Sequence, residues 1–182
     1  MAEIKSELQN IVLSVTYKDV EFDLEELARL LEGARYDPEV FPGIAYKSQE
    51  PRASFLIFAS GKMNCVGAKS MEDAKLAIKN LTEVLRKSGI EIKEEPKVKV
   101  QNMVASFDFE REFDLERIAR EFKTTEYEPE VFPGLVFRLD EPNVVVLLFV
   151  SGKGVCAGAR SEEEIKKAGK KISELLPPPP VA

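Results

Sequence analysis

A chain of 182 residues with 44% hydrophobic and 32% charged content can hold one ordinary domain or two small ones around a real core. It has no histidine and only two cysteines, Cys65 and Cys156, without CxxC spacing, so the usual general base and the usual metal ligands are missing. A net charge of −6 argues against nucleic-acid binding on average, although binding depends on where the charges sit.

Residues 1–10 lack the basic head and apolar middle of a signal peptide. Residues 11–17 are β-prone. Asp23 stands where a helix N-cap belongs, ahead of Leu27, Ala28 and Leu31. Tyr36-Asp-Pro-Glu-Val-Phe-Pro-Gly43 ends in a Pro-Gly turn signal that opens the next strand. A buried strand over 55–59 turns at Ser60-Gly61 into a hairpin partner over 64–68. Ser70 with Asp73 resembles a capping box. Behind it Ala74, Ala77, Ile78, Leu81 and Leu85 keep helical spacing as far as Gly89. Residues 94–99, of mixed charge and with one proline, read as a connector.

The chain then repeats itself. Phe22-Asp-Leu-Glu25 returns as Phe113-Asp-Leu-Glu116, the 36–43 motif as Tyr127-Glu-Pro-Glu-Val-Phe-Pro-Gly134, and Ser60-Gly-Lys62 as Ser151-Gly-Lys153. Gly67-Ala68 returns as Gly158-Ala159 at the same offset of 91, which is 127 − 36. Gln9-Asn10 returns as Gln101-Asn102 at 92, so one residue was gained or lost between first strand and first helix. The second copy therefore has a strand over 103–109 and an N-cap at Asp114 ahead of Ile118, Ala119 and Phe122. Strands follow over 145–150 and 155–159. A capping box at Ser161 and Glu164 precedes a helix through Ile165, Ala168, Ile172 and Leu176. Pro177 stops that helix, and residues 177–182 read as a disordered tail. The expected organisation is repeat 1 over 1–93, connector 94–99 and repeat 2 over 100–176. The longest apolar run, 144–150, is far short of the roughly 20 residues that span a bilayer. The chain reads as cytoplasmic, with no membrane partner and no cofactor.

Each repeat has more strand than two helices can cover, so one sheet face is left open. Period-two alternation assigns that face. Leu56 and Phe58 match Leu147 and Phe149; Asn64 and Val66 match Val155 and Ala157; Asn10 and Val12 match Asn102 and Val104. A large exposed apolar face marks a binding site. Strand valines, leucines and the rings of Phe58 and Phe149 are nonetheless more often core than contact. Phe41 and Phe132 lie between Pro-Glu-Val and Pro-Gly, a poor place to bury a ring, and are open to packing or partner contact alike. Asn10 and Asn102 suit either a local bond or a partner. Cys65 and Cys156 fall on the opposite face and read as small core residues under the long helices, not as a disulfide.

At these residues the chain resembles the TATA-box-binding protein family. The resemblance is carried by Asn10-Ile-Val12, Tyr36-x-Pro-Glu-x-Phe-Pro-Gly43, Glu50-Pro51, Leu56-Ile-Phe58 and Ser60-Gly-Lys62, and again by Phe149-Val-Ser-Gly-Lys153. It covers about residues 8–176, and the short N-terminus and acidic composition resemble archaeal members. The resemblance implies an α+β saddle: two pseudo-symmetric repeats forming a curved ten-stranded antiparallel sheet, with four helices on the convex face. It implies a general transcription factor, not an enzyme, that binds the TATA-box minor groove of double-stranded promoter DNA. Phe41 with Phe58, and Phe132 with Phe149, would wedge into base steps, a mechanism that this family itself exemplifies. Asn10 and Asn102 would donate to acceptors in the groove floor. The aliphatic surface of Val12, Leu56, Val66, Val104, Leu147, Val155 and Ala157, with Asn64, would reject the projecting amine of G·C. Phosphate contacts carry over to Lys47, Arg52, Lys62, Lys69, Arg138, Lys153 and Arg160, a basic rim that leaves the acid to the helices. The implied partners are transcription factor B, through Glu128, Glu130 and Val131, the RNA polymerase pre-initiation complex, and a second copy of the chain when DNA is absent. The first repeat carries nearly the same loop, Asp37, Glu39 and Val40. Many members have Thr where this chain has Val66 and Ala157, and an apolar residue where it has Asn64, which leaves fine sequence preference open. A regulatory interaction module reusing this fold without bending DNA is the competing reading.

Overall fold

A computed structural model of the chain describes residues 4–176. The expected tail and its helix-stopping Pro177 lie outside the described residues. Two compact units are formed, Asn10–Gln101 and the described parts of Met1–Gln9 with Asn102–Ala182. Their boundaries do not follow the sequence repeats, because the first strand, β1 (Lys5–Thr16), contributes its opening residues to one unit and the remainder to the other.

In the Asn10–Gln101 unit, β1 is followed by α1 (Leu24–Leu30), β2 (Ile44–Gln49), β3 (Arg52–Ile57), β4 (Lys62–Ala68) and α2 (Met71–Lys87). The strands pair in the antiparallel order β2-β3-β4-β1. Asp23 caps α1 by accepting from the Glu26 N–H at 3.3 Å, and Ser70 caps α2 by accepting from Asp73 N–H at 3.0 Å. The helix α2 packs on β3 and β4, and its spaced residues Ala74, Ala77, Ile78, Leu81 and Leu85 are all buried there. Beneath them lie Leu13, Val15, Phe55, Ile57, Met63 and Cys65.

The other unit repeats the plan. It holds most of β5 (Lys97–Asp108), then α3 (Leu115–Glu121), β6 (Thr125–Glu126), β7 (Leu135–Leu139), β8 (Val144–Leu148), β9 (Lys153–Ala159) and α4 (Glu162–Leu175). Here the order is β5-β9-β8-β7-β6. Asp114 and Ser161 supply the caps, accepting from Arg117 N–H at 3.2 Å and Glu164 N–H at 3.1 Å. Ile165, Ala168, Ile172 and Leu176 are buried as their spacing requires, over a core that includes Phe107, Phe137, Val146, Leu148 and Cys156. Both cysteines are free and buried.

Three details differ from the sequence expectation. The first strand of each repeat is longer than the β-prone stretch alone, and β5 begins at Lys97, inside the segment expected to be connector. Nine strands, not ten, occur among the described residues. The counterpart of β6 is reduced to one bridge, Arg35 with Ala45, whose two N–H···O bonds are each 2.9 Å. The cause is local: Thr124, whose carbonyl accepts from Arg138 N–H, is replaced at the same place in the first repeat by Gly33, held at φ +84°. A left-handed residue cannot continue an extended strand.

The third difference concerns charge. The long helices do not hold the excess acid: α2 carries Glu72, Asp73 and Glu83 against Lys75, Lys79, Arg86 and Lys87. In α4, Glu162, Glu163, Glu164 and Glu174 are balanced by Lys166, Lys167, Lys170 and Lys171. Negative charge is concentrated instead in the loop 91–95 and where loops run into the first turns of the short helices, over 19–26 and 110–116. No described helix is long and apolar enough to cross a membrane, and no described cluster of His, Cys, Asp or Glu could hold a metal ion.

Candidate nucleic-acid interface

With helices on one side of each sheet, alternation leaves the even-numbered residues of β1, β3, β4 and β5 on the uncovered side. Through the middle of these strands, at Val12, Ser14, Ser54, Leu56, Asn64, Val66, Val104 and Ser106, they are half-buried while most odd-numbered neighbours are fully buried, as with Leu56 between Phe55 and Ile57. The register assembles them into rows. In one unit Ala45 lies opposite Leu56, Leu56 opposite Asn64, and Asn64 opposite Ser14. In the other the same row reads Val136, Leu147, Val155 and Ser106. The next row pairs Lys47 with Ser54 and Ser54 with Val66; its counterpart pairs Arg138 with Val145 and Val145 with Ala157. Val12 and Val104 complete the half-buried aliphatic floor.

Asn10 and Asn102 do bond locally, and the bond orients them. The Gly67 N–H donates to Asn10 Oδ1 at 2.7 Å, and the Gly158 N–H donates to Asn102 Oδ1 at 2.7 Å. A backbone N–H must meet the oxygen, so the amide orientation is determined and both Nδ2 donors are left to the open side. The local bond is the one formed, and it leaves the Nδ2 donor of each asparagine unused by it.

The structure brings the phenylalanines together in pairs. Phe41 and Phe58 meet edge-to-face with centroids 5.8 Å apart, and Phe132 and Phe149 at 5.9 Å. Phe41 is 38% exposed and Phe132 40%, although both rings are large and apolar. Phe58 and Phe149 are half-buried rather than core. In the sequence, Gly43 and Gly134 read only as turn residues. They are the floor under the rings: a Cβ on Gly134 would stand 2.6 Å from Phe132 Cε2 and 2.9 Å from Phe149 Cε1, and one on Gly43 would stand 2.9 Å from Phe41 Cε2.

The cationic positions are all exposed: Lys47, Arg52, Lys62, Lys69, Arg138, Lys153 and Arg160. They are not equivalent between repeats. Lys62 lies opposite Thr16, but Lys153 lies opposite Asp108 and donates to it at 2.9 Å. That hydrogen bond holds the Asp108 carboxyl below the usual carboxylate range. Arg138 has Glu126 at 3.9 Å. Away from the sheets, Val131 is 79% exposed in a tight turn whose Glu128 carbonyl accepts from the Val131 and Phe132 N–H groups. Glu128 and Glu130 are exposed beside it. The first repeat presents the same turn, with Val40 81% exposed between Glu39 and Phe41.

Two polar pairs escaped the sequence reading. Gln9 Nε2 donates to Ser106 Oγ at 3.0 Å, and Gln101 Nε2 donates to Ser14 Oγ at 2.9 Å. The recurrence of Ser14 as Ser106 at the first-strand offset of 92 was the available signal, 106 − 14.

A family model described as transcription factor TFIID (or TATA-binding protein, TBP) matches residues 5–88 and 97–177, both repeats. A TATA-box-binding protein of Methanocaldococcus jannaschii is 51% identical over 174 residues, covering 96% of this chain and 93% of that one. The chain belongs to the TATA-binding protein family. Another relative, from Archaeoglobus fulgidus, is 44% identical over 97% of both chains. The solved structure of Methanococcus jannaschii TBP superposes with a TM-score of 0.86 at 50% identity, covering 93% of this chain and 97% of that one. The α+β class, the two-repeat plan and the archaeal character of the relatives agree with the resemblance read from the sequence. Members of this family are DNA-binding transcription factors rather than enzymes.

Proposed function

We propose that this chain is a basal transcription factor that lays the open faces of its sheets on the minor groove of an A·T-rich promoter site. The observation that carries the reading is the pair of half-exposed phenylalanines in each unit, held edge-to-face over a glycine that leaves no room for a side chain. An exposed aromatic pair costs solubility unless it has a partner. Between two base steps it replaces the stacking that a kink destroys.

The other elements supply selection and affinity. The Nδ2 donors of Asn10 and Asn102 suit a floor that offers only acceptors, as A·T and T·A do. The aliphatic floor of Val12, Leu56, Val66, Val104, Leu147, Val155 and Ala157 offers nothing to pair with the amine of G·C. Arg52, Lys62, Lys69 and Arg160, with Lys47, Arg138 and Lys153, are proposed to neutralise phosphates. The exposed turn of Glu128, Glu130 and Val131 is proposed to bind transcription factor B and, through it, to recruit RNA polymerase. Such a factor acts at the nucleoid. Free of DNA, the same apolar faces suit a second copy of the chain, which sedimentation over a concentration series tests.

The deciding experiment titrates the protein against TATA-containing and G·C-substituted duplexes carrying dyes at both ends. Tight binding with a shortened end-to-end distance is expected only for the TATA duplex. Equal affinity for both, or a straight TATA duplex in the complex, would leave the regulatory-module reading in its place.

A further inference from the structure

The two open faces are built alike, and they differ in polarity at a position that the symmetry of the repeats makes conspicuous. Asn64 stands where the second repeat has Val155, 155 − 64 = 91. Both sit at the same register point, Asn64 between Leu56 and Ser14, Val155 between Leu147 and Ser106. The serines are matched, each accepting from a glutamine. Asn64 is half-buried on β4, and its side-chain amide has no hydrogen-bond partner among the described residues. In this it differs from Asn10, whose oxygen is tied to Gly67.

A free amide set in an aliphatic surface penalises any occupant that covers it without pairing both ends. Over A·T or T·A the groove floor presents acceptors alone, so Nδ2 finds a partner and Oδ1 does not. Over G·C the guanine amine donates to Oδ1 while a neighbouring acceptor receives Nδ2–H. Val155 in the same situation leaves the guanine amine unpaired.

We propose that Asn64 is a specificity-determining residue that lets the first repeat accept a G·C pair at the base step it covers, where the second repeat rejects one. The preferred site is therefore asymmetric, and a single G·C pair fixes which way round the protein binds. This inference rests on the minor-groove reading above.

The test uses a self-complementary A·T duplex, scanned with one G·C pair and then with the symmetry-related pair of them. A symmetric duplex lets the protein turn round, so the first G·C at the tolerant step is expected to cost little. The second is expected to cost at least about fivefold more than the first, the scale of one base-edge contact. Asn64→Val, which installs the residue of the other repeat, should make the first substitution as costly as the second. Val155→Asn should make both tolerated. Ser54→Val, at the other polar floor position where the second repeat has Val145, should leave the wild-type pattern unchanged. Thermal melts of the free proteins check that each variant is folded. Tight binding of the unsubstituted duplex with equal first and second penalties, or an asymmetry that survives Asn64→Val or disappears with Ser54→Val, overturns the inference and leaves the groove reading standing. Failure of the wild-type chain to bind the unsubstituted duplex overturns both.

Discussion

Single residues differ here in how much of their role is local. The phenylalanines were visible as repeated aromatics, but pattern alone did not pair them, because Phe41 and Phe58 are separated by two strands, β2 and β3, and only the family resemblance implied the pairing. Only the folded hairpin sets their rings 5.8 Å apart. The glycine beneath them yields a sharp expectation. Gly134→Ala would thrust a methyl into Phe132 and Phe149, and rings at a surface can move aside. The variant should stay folded by circular dichroism yet lose most of the DNA bend, as should Phe149→Ala. A global unfolding in either would instead return the rings to a core role. The cysteines give a pH expectation. Burial pushes the Cys65 and Cys156 thiols from the ordinary 9.0 up to about 11. A group whose folded value is raised favours the native state fully below its unfolded value. That contribution disappears as pH rises from about 9 to about 11. Denaturant midpoints should therefore fall across that window in the wild-type chain and fall less steeply in a Cys65→Ala, Cys156→Ala variant.

At the scale of elements, helices were easier to read than strand ends. The caps at Asp23, Ser70, Asp114 and Ser161 depend on residues within three positions, so their chemistry is contained in a short window. Replacing Ser161 by Ala should lower stability by about 1 kcal/mol, measured by chemical denaturation. Strand extent is different, because it depends on what lies alongside. The 94–99 segment looks like a connector in isolation, yet part of it is the start of β5. One buried contact ties the residue that follows β1 to α2. Tyr17 Oη lies 2.7 Å from Thr82 Oγ1, which itself donates to the Ile78 carbonyl at 2.8 Å. The threonine has one proton, so the tyrosine is the donor. Tyr17→Phe then leaves no donor unmet and should cost about 1 kcal/mol, whereas Thr82→Val strands a buried hydroxyl and should cost more, up to about 3 kcal/mol. Equal losses in urea melts would contradict that direction of donation.

The whole molecule is acidic, and the proposal requires it to bind a polyanion. About six neutralised phosphates give a log–log salt slope of roughly −5 to −6. Replacing Lys62 by Gln should weaken binding to every sequence alike and flatten that slope by about one. The same change at Lys153 should do less, since Asp108 already engages that ammonium at 2.9 Å. A slope near zero would remove the basic rim from the account. Placement of the acid matters to this argument, and the long helices, being balanced, are not where it sits.

What the sequence determined by itself is what short windows and internal copying encode. The duplication, the helix caps, the buried stripes of α2 and α4 and the two faces of each strand all follow from spacing within one repeat. Family resemblance added roles to residues that pattern left balanced between core and contact. Tertiary structure decided the rest: that Lys5–Gln9 belong with the second repeat's unit, that Gly33 interrupts a tenth strand, and that Asn10 and Asn102 point their donors outward. It also set Lys153 against Asp108 and left Asn64 without a partner. The physical reason is common to all of these. Each depends on which backbone or side chain arrives from a distant part of the chain, and a local pattern carries no record of that neighbour.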